Sequence, residues 1–258
     1  MIITIILPSG VPQCSHLGPL LFILSVDDIS QVLHTSKVLI YADDMKIYSR
    51  VNTVHEALLL QADLERFNDW CKYSNLKLNL GKCEFMRFFR IKNPVRFSYS
   101  INHRVLNESV TTTDLGVVFD RKIDFNLHLS GVIAKASSML GFIKRWSKEF
   151  NNPLVTRHLY ITIVRPILEY SSQVWSPCYI VHIDRIESIQ KRFVRFALNH
   201  LPWDNSIILP SYRERLNLIN LNTLSKRREV ADLIFLHGLL NNTIHSPSLT
   251  SYISFNDV

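Results

Sequence analysis

Two adjacent aspartates, Asp43 and Asp44, interrupt an apolar and basic run, VLIYADDMKIYSR, at residues 38–50. This interruption constrains the fold more than any other stretch of the chain. Val38 to Tyr41 are strand formers, Met45 to Ser49 read as a return strand, and the acids occupy the tight connection. The pattern predicts a β-hairpin whose apolar first strand ends in carboxylates. Aspartate is a favoured turn residue, so ADD by itself reads plainly as a solvated turn. Burying two acids without a counter-charge is costly. An apolar strand that delivers paired hard oxygen donors also suits magnesium, which takes one or two carboxylates together with substrate phosphates. Such a site supports two-metal phosphoryl transfer.

The rest of the composition narrows the classes available. With 258 residues, 47% hydrophobic and 20% charged, the chain is long and apolar enough to fold around a substantial core. Its net charge of +7 favours an acidic partner such as nucleic acid. Seven glycines make Gly-rich phosphate loops a poor expectation. Cys14, Cys71, Cys83 and Cys178 form no CxxC pair and no zinc-finger spacing, which suits reduced, mostly buried thiols in an intracellular protein. No histidine falls in an HExxH pattern. The opening MIITIILPSG is too short to span a bilayer and reads as a β-strand stopped by Pro8 and Gly10. Later apolar runs are broken by charges, so no membrane segment is expected.

Charge and periodicity divide the chain. Residues 1–36 hold no Lys or Arg and only Asp27 and Asp28 as acids, whereas basic blocks cover residues 82–104, 121–148 and the segment DRIESIQKRFVRFALNH. After the first strand, Leu20 to Val26 reads as a buried helix. Beyond the hairpin, Ala57, Leu60, Leu64, Phe67 and Trp70 recur at helical spacing, and that helix ends near Ser74-Asn75. KCEFMRFFRI, VRFSYSINHRVL (with a turn at Asn102-His103) and TTTDLGVVFD read as strands. From residue 126 the pattern is helical, over 126–149, 152–175, 181–200 and 221–241. Pro153 suits a first turn, and Pro166 interrupts the second of these helices. The expectation is an α+β part, residues 1–125, followed by an all-helical part, residues 126–258.

Several motifs together resemble one family. Tyr41-Ala42-Asp43-Asp44 resembles the YxDD hairpin of reverse transcriptases, and GVPQCSHLGPLLF upstream resembles the segment GVPQGSxLGPLLF of the same family. LQADLERFNDWCKYSNLKLNLGKCEFMRF is similar to the helix and strand that follow the metal hairpin. LYITIVRPILEYSSQVWSP and IDRIESIQKRFVRFAL are similar to the helical region of jockey-type non-LTR retrotransposon enzymes. The resemblance implies a partial polymerase palm of antiparallel strands with packed helices, then a thumb-like helical region. It implies RNA-directed DNA synthesis with magnesium on Asp43 and Asp44, Asp43 being the more direct ligand. It places Tyr41 near the primer end, Gln13 at the nucleotide pocket and Lys82 toward the triphosphate. An RNA template, a DNA primer and dNTPs are the implied partners. A nucleus is the implied compartment, although no nuclear signal is found.

The chain also departs from the family pattern. Cys14 stands where the family usually has Gly, and residues 1–26 hold no acid to serve as a further metal ligand upstream. The fingers region is not found either. The expectation is therefore the C-terminal part of such an enzyme, inactive alone. A non-catalytic nucleic-acid-binding remnant and an inert fragment are the other readings. In IDRIESIQKRFVRFALN the apolar stripe is Ile183, Ile186, Ile189/Gln190, Phe193 and Ala197. Arg185, Lys191, Arg192 and Arg195 lie around or opposite it, either as a solvated face or as contacts to duplex phosphates. Phe88, Phe89, Phe97, Tyr99 and Trp146 interleave with the basic residues. Asp27 and Asp28 read as a solvated helix end. The sequence leaves the oligomeric state open.

Overall fold

A computed structural model describes residues 17–42, 44–147, 149–150, 152–199 and 210–253. The chain divides into two compact units, residues 1–112 and 113–258. TTTDLGVVFD, expected as one strand, makes two. Leu115 and Gly116 both adopt positive φ, 46° and 82°, and turn the chain back on itself. The second strand then packs on the helix after it.

Unit 1 begins with α1 (Leu17–Val26) and α2 (Ile29–Val32). A hairpin follows, β1 (Lys37–Tyr41) paired antiparallel with β2 (Asp44–Tyr48). The long helix α3 (Val54–Tyr73) starts at a capping box. Thr53 Oγ1 accepts from the Glu56 N–H, and the Glu56 carboxylate accepts from the Thr53 N–H. Short strands complete the unit: β3 (Glu84–Met86), β4 (Ser100–Ile101), β5 (Arg104–Val105) and β6 (Asn107–Ser109). β4 and β5 turn at Asn102 and His103, both at positive φ as a tight primed turn requires. β3 pairs parallel with β6, a correction to the all-antiparallel expectation. Two apolar clusters hold the unit. Val26, Ile29 and Leu33 meet Phe67, Trp70 and Cys71 of α3 in one. Ala57 and Leu64 of α3 meet Tyr99, Ile101 and Leu106 in the other.

α1 corrects the expectation of a buried helix. Of its residues only Val26 is buried, while Leu17, Leu20, Leu21, Ile23 and Leu24 are exposed. An uncharged helix that is apolar all round usually lies inside a core. Tyr99 and Phe97, which interleave with basic residues in the sequence, pack with Phe85 around the second cluster.

β7 (Thr111–Asp114) crosses the boundary between the units and pairs with β8 (Val117–Asp120). Unit 2 continues with α4 (Asn126–Trp146) and α5 (Pro153–Leu159), and Pro153 stands in the first turn of α5. A π-helical turn, Tyr160–Val164, joins α5 to α6 (Arg165–Glu169). Pro166 has no N–H to continue the ladder, and the backbone widens just before it instead of stopping. The remaining helices are α7 (Ser172–Trp175), α8 (Ile180–Leu198), α9 (Tyr212–Leu218), α10 (Leu224–Leu240) and α11 (Pro247–Thr250). One core cluster gathers Leu129, Ala136, Leu140 and Ile143 of α4 with Ile186, Ile189, Phe193 and Ala197 of α8. Tyr160 stacks on Phe193 inside it, with ring centroids 4.1 Å apart.

A polar network is buried in the same core. Tyr160 donates to Gln190, and the Gln190 amide donates to the Asn222 carbonyl. The Glu187 carboxylate accepts from Tyr212 and from the Leu224 N–H at the start of α10. Burial, together with the bond to Glu187, raises the Tyr212 phenol far above its ordinary value.

Candidate functional site: an acidic hairpin tip and a basic helix face

The hairpin register places Tyr41 opposite Asp44, Ile40 opposite Met45, Leu39 opposite Lys46 and Val38 opposite Ile47. Directly opposed residues share a face, and the faces alternate along each strand. Val38, Met45 and Ile47 therefore turn inward, where they pack on the cluster of Phe67, Trp70 and Cys71. Leu39, Tyr41, Asp44 and Lys46 share the outward face. Asp44 is exposed there and begins β2, so it belongs to the strand and not to the connection. The tip itself is strained, because Ala42 sits at φ 51°, in the left-handed region. Asp43 and Gln13 lie outside the described residues.

What holds the hairpin in place is a residue the sequence reading passed over. Asp63 on α3 is fully buried. Its carboxylate accepts the backbone N–H groups of His34, Thr35 and Ser36 at 3.0, 2.9 and 2.8 Å. It also accepts the Thr35 hydroxyl at 2.7 Å and pairs with Arg66. These three consecutive N–H groups lie directly ahead of β1, so α3 fixes the point where the strand starts. Burial by itself would raise the Asp63 carboxyl, but the donors outweigh it and hold the group well below the usual carboxylate range. A signal was present in the sequence. Asp63 falls three residues after Leu60 and four before Phe67, on the stripe expected to face the core.

Asp28 also departs from its reading as a solvated terminus, since it accepts the indole N–H of Trp70 at 3.1 Å. Lys82 is exposed in the turn ahead of β3. Its neighbours Leu80 and Cys83 pack in the same cluster as Ile47 of β2, so the turn is anchored next to the hairpin's inner face.

The four basic residues of α8 do not act as one group. Arg185 reaches Ser130 Oγ of α4 at 3.3 Å and Arg192 reaches Ser137 Oγ at 2.9 Å. The Lys144 ammonium of α4 lies 5.6 Å from the centre of the Phe196 ring. Pairs that ascend together show α4 and α8 running in the same direction, with cations along their seam. Arg195 is exposed nearby on α8. Lys191 turns away, toward Asp184 at 3.8 Å and the Tyr212 ring at 5.5 Å.

The donor type at the hairpin fits magnesium, because carboxylate oxygens are hard ligands. The donor number is small. Among the described residues no group of three or more His, Cys, Asp or Glu side chains is placed to hold a metal. Asp120 is occupied in a turn, accepting from the backbone N–H groups of Lys122 and Phe125. No helix among the described residues is long and apolar enough to cross a membrane.

Residues 5–143 match the family described as reverse transcriptase (RNA-dependent DNA polymerase), more than half of the 258 residues, and the chain belongs to that family. It is similar to the RNA-directed DNA polymerase from mobile element jockey of Drosophila funebris, 29% identical over 208 residues. That alignment covers 76% of this chain and 22% of the relative. The probable RNA-directed DNA polymerase from transposon X-element of Drosophila melanogaster is 28% identical over 197 residues, covering 72% of this chain and 21% of the relative. The jockey polymerase of Drosophila melanogaster is 26% identical over 258 residues, covering 88% of this chain and 27% of the relative. The chain thus spans between a fifth and about a quarter of the length of these curated relatives. No solved structure matches.

Proposed function

We propose that this chain is part of the RNA-directed DNA polymerase of a jockey-like non-LTR retrotransposon, with unit 1 as part of its palm and the helices from α4 onward as its thumb-like region. The observation that carries the reading is the hairpin register, which sets Tyr41 beside Asp44 on one outward face at the end of an apolar strand. Asp43 and Asp44 would hold magnesium, which when bound would activate the primer hydroxyl and offset triphosphate charge. Tyr41 would orient the primer end and Gln13 would shape the nucleotide pocket. Lys82 would meet the triphosphate. Arg185, Arg192 and Arg195 would neutralise phosphates of the RNA template and DNA primer, with Lys191 less available because of Asp184.

Residues 1–26 hold no acid that could serve as a further metal ligand upstream of the pair. A single pair in water should bind magnesium weakly, and lost positioning removes most of the rate. The chain alone should therefore not extend a primer. The test offers the purified chain a primer–template, dNTPs and magnesium, and measures Mn2+ binding in parallel by paramagnetic resonance. Weak Mn2+ binding that disappears in the Asp43→Asn/Asp44→Asn variant, without extension, supports the proposal. Mn2+ binding unchanged in that variant would refute the metal assignment, and extension abolished by Asp43→Ala would refute inactivity.

A second reading is a nucleic-acid-binding module without catalysis. The cation-lined seam between α4 and α8 favours it. Binding that falls steeply with added salt while Mn2+ binding is absent would select it.

A further inference from the structure

α4 presents a surface that its packing does not require. His128, Leu129, Ala136, Leu140 and Ile143 make its buried face. On the other side Phe142 and Trp146 stand out in solvent, 44% and 72% exposed. Their ring centroids are 5.9 Å apart and the ring planes are inclined by 42°. Two large rings one turn apart and left wet mark a surface for a partner, since burying either would stabilise the fold.

The surroundings indicate the partner's chemistry. α4 carries Lys135, Lys144 and Arg145 and no acidic residue. Lys135 stands seven residues before Phe142, on the same face of the helix. Arg145 folds back over Gly141, its Nη1 3.5 Å from where a Cβ would stand. Ser130, Ser137 and Lys144 recur every seven residues on a different stripe of α4, the one that meets Arg185, Arg192 and Phe196 of α8, so those cations belong to the α4–α8 seam and not to this face. Asp124, two residues before the helix, and Glu149, three residues past it, are the acids that flank it in sequence.

We propose that this face of α4 binds unpaired nucleotides of a single strand, with Phe142 and Trp146 each stacking on one base while Arg145 and Lys135 neutralise phosphates. Exposed aromatics set in basic surroundings are the usual platform for single-stranded nucleic acid, because every base has a face to stack. Inclined rings 5.9 Å apart do not sandwich one base. They suit successive bases of a strand stretched beyond the roughly 3.4 Å spacing of a stacked helix. A duplex offers no free base faces and would use the cations alone. The inference rests on the nucleic-acid partner proposed above and adds a site and a strandedness to it.

The experiment uses the full chain and fluorescence anisotropy with three probes: a short polyuridine strand, an abasic strand of equal length and charge, and a blunt duplex. Trp146→Ala and Phe142→Ala should each weaken polyuridine binding about tenfold, a typical loss for one stacking ring. Trp146→Phe should restore most of it. The abasic strand loses both stacks, so it should bind the wild type about a hundredfold more weakly than polyuridine does and bind the single variants no worse than the wild type, and duplex affinity should not change. Equal binding of abasic and normal strands would overturn the stacking site, and so would equal losses for strand and duplex. Duplex binding with unchanged polyuridine binding in both variants overturns this inference alone. Absence of binding to all three probes overturns the nucleic-acid reading as well. A concentration-dependent self-association abolished by Trp146→Ala, with polyuridine affinity intact, would assign the rings to a second copy instead.

Discussion

Replacing Asp63 with Asn tests whether α3 sets the start of the acidic hairpin. The substitution keeps the volume and removes the charge. In the wild type Oδ2 accepts the Thr35 and Ser36 N–H groups and the Thr35 hydroxyl, while Oδ1 accepts the His34 N–H and Arg66. An amide has one acceptor oxygen, so its NH2 must face donors on one side of the site. The favoured rotamer keeps the oxygen on the Oδ2 side, with its three donors, and turns NH2 to the Oδ1 side, where the His34 N–H loses its acceptor and the part-exposed Arg66 can turn to water. One unsatisfied backbone donor, at about 1–3 kcal/mol, gives an expected loss of about 2 kcal/mol. Trp70 is the tryptophan of residues 1–112, so its fluorescence in urea, with the other tryptophans changed to Phe, reports this unit. Hydrogen exchange at His34, Thr35 and Ser36 reports the clamp locally. The pH dependence has a definite sign. Because the folded carboxyl is held below its ordinary value of 3.8, its contribution is present above that value and is lost as the pH falls through and below it. The Asn variant should lose that acid slope. A loss under about 1 kcal/mol, within the range of ordinary surface changes, with exchange unchanged at residues 34–36, would refute the reasoning.

Three further outcomes follow from local geometry. Ala42→Gly should stabilise the hairpin by up to about 1 kcal/mol, because a left-handed Cβ costs about 1–2 kcal/mol and glycine returns part of that as entropy; the urea midpoint checks it. Thr53→Ala should cost about 1 kcal/mol by opening the capping box of α3, read by the same titration. Glu187→Gln should cost about 2 kcal/mol in unit 2 through the donors of Tyr212 and Leu224. It should also bring the Tyr212 phenol down toward its ordinary value, visible as a lower-pH ultraviolet tyrosinate transition.

The parts of the fold that could be read in the sequence are those set by one local period. α3 follows from the spacing of Ala57, Leu64, Phe67 and Trp70, and all four are buried. The hairpin follows from strand formers on both sides of a short acidic gap. α8 follows from its apolar stripe. Period alone says nothing about which polar residues lie on a buried stripe. Asp63 and Glu187 both do, and each is stabilised by backbone donors from a segment distant in sequence. The β7–β8 turn was missed because Leu115 takes a left-handed conformation that sequence preference argues against. The burial of α1 was overestimated because composition reports what a helix can bury, not what is beside it. Of the candidate site, the residue types at the hairpin tip were legible, but the outward direction of Asp44 needed the register.

The exposure of that tip links two properties of unit 1. Charges 4 Å apart attract by about 1 kcal/mol in water and by about 4 kcal/mol at the effective dielectric near a protein surface. Asp44 stands in the first condition, on a face shared with Leu39 and Tyr41, themselves 56% and 63% exposed. Covering that face would recover about 25 cal/mol for each Å² of apolar surface removed from water. It would also lower the dielectric around the carboxylate and strengthen its hold on a cation. The two effects are reciprocal, since a ligand that favours the covered state must itself bind more tightly there. Metal affinity measured on the uncovered hairpin is therefore a lower bound. Any surface that buries Leu39 and Tyr41 while leaving Asp44 accessible should raise Mn2+ affinity, and a cation should tighten the docking of that surface by the same factor.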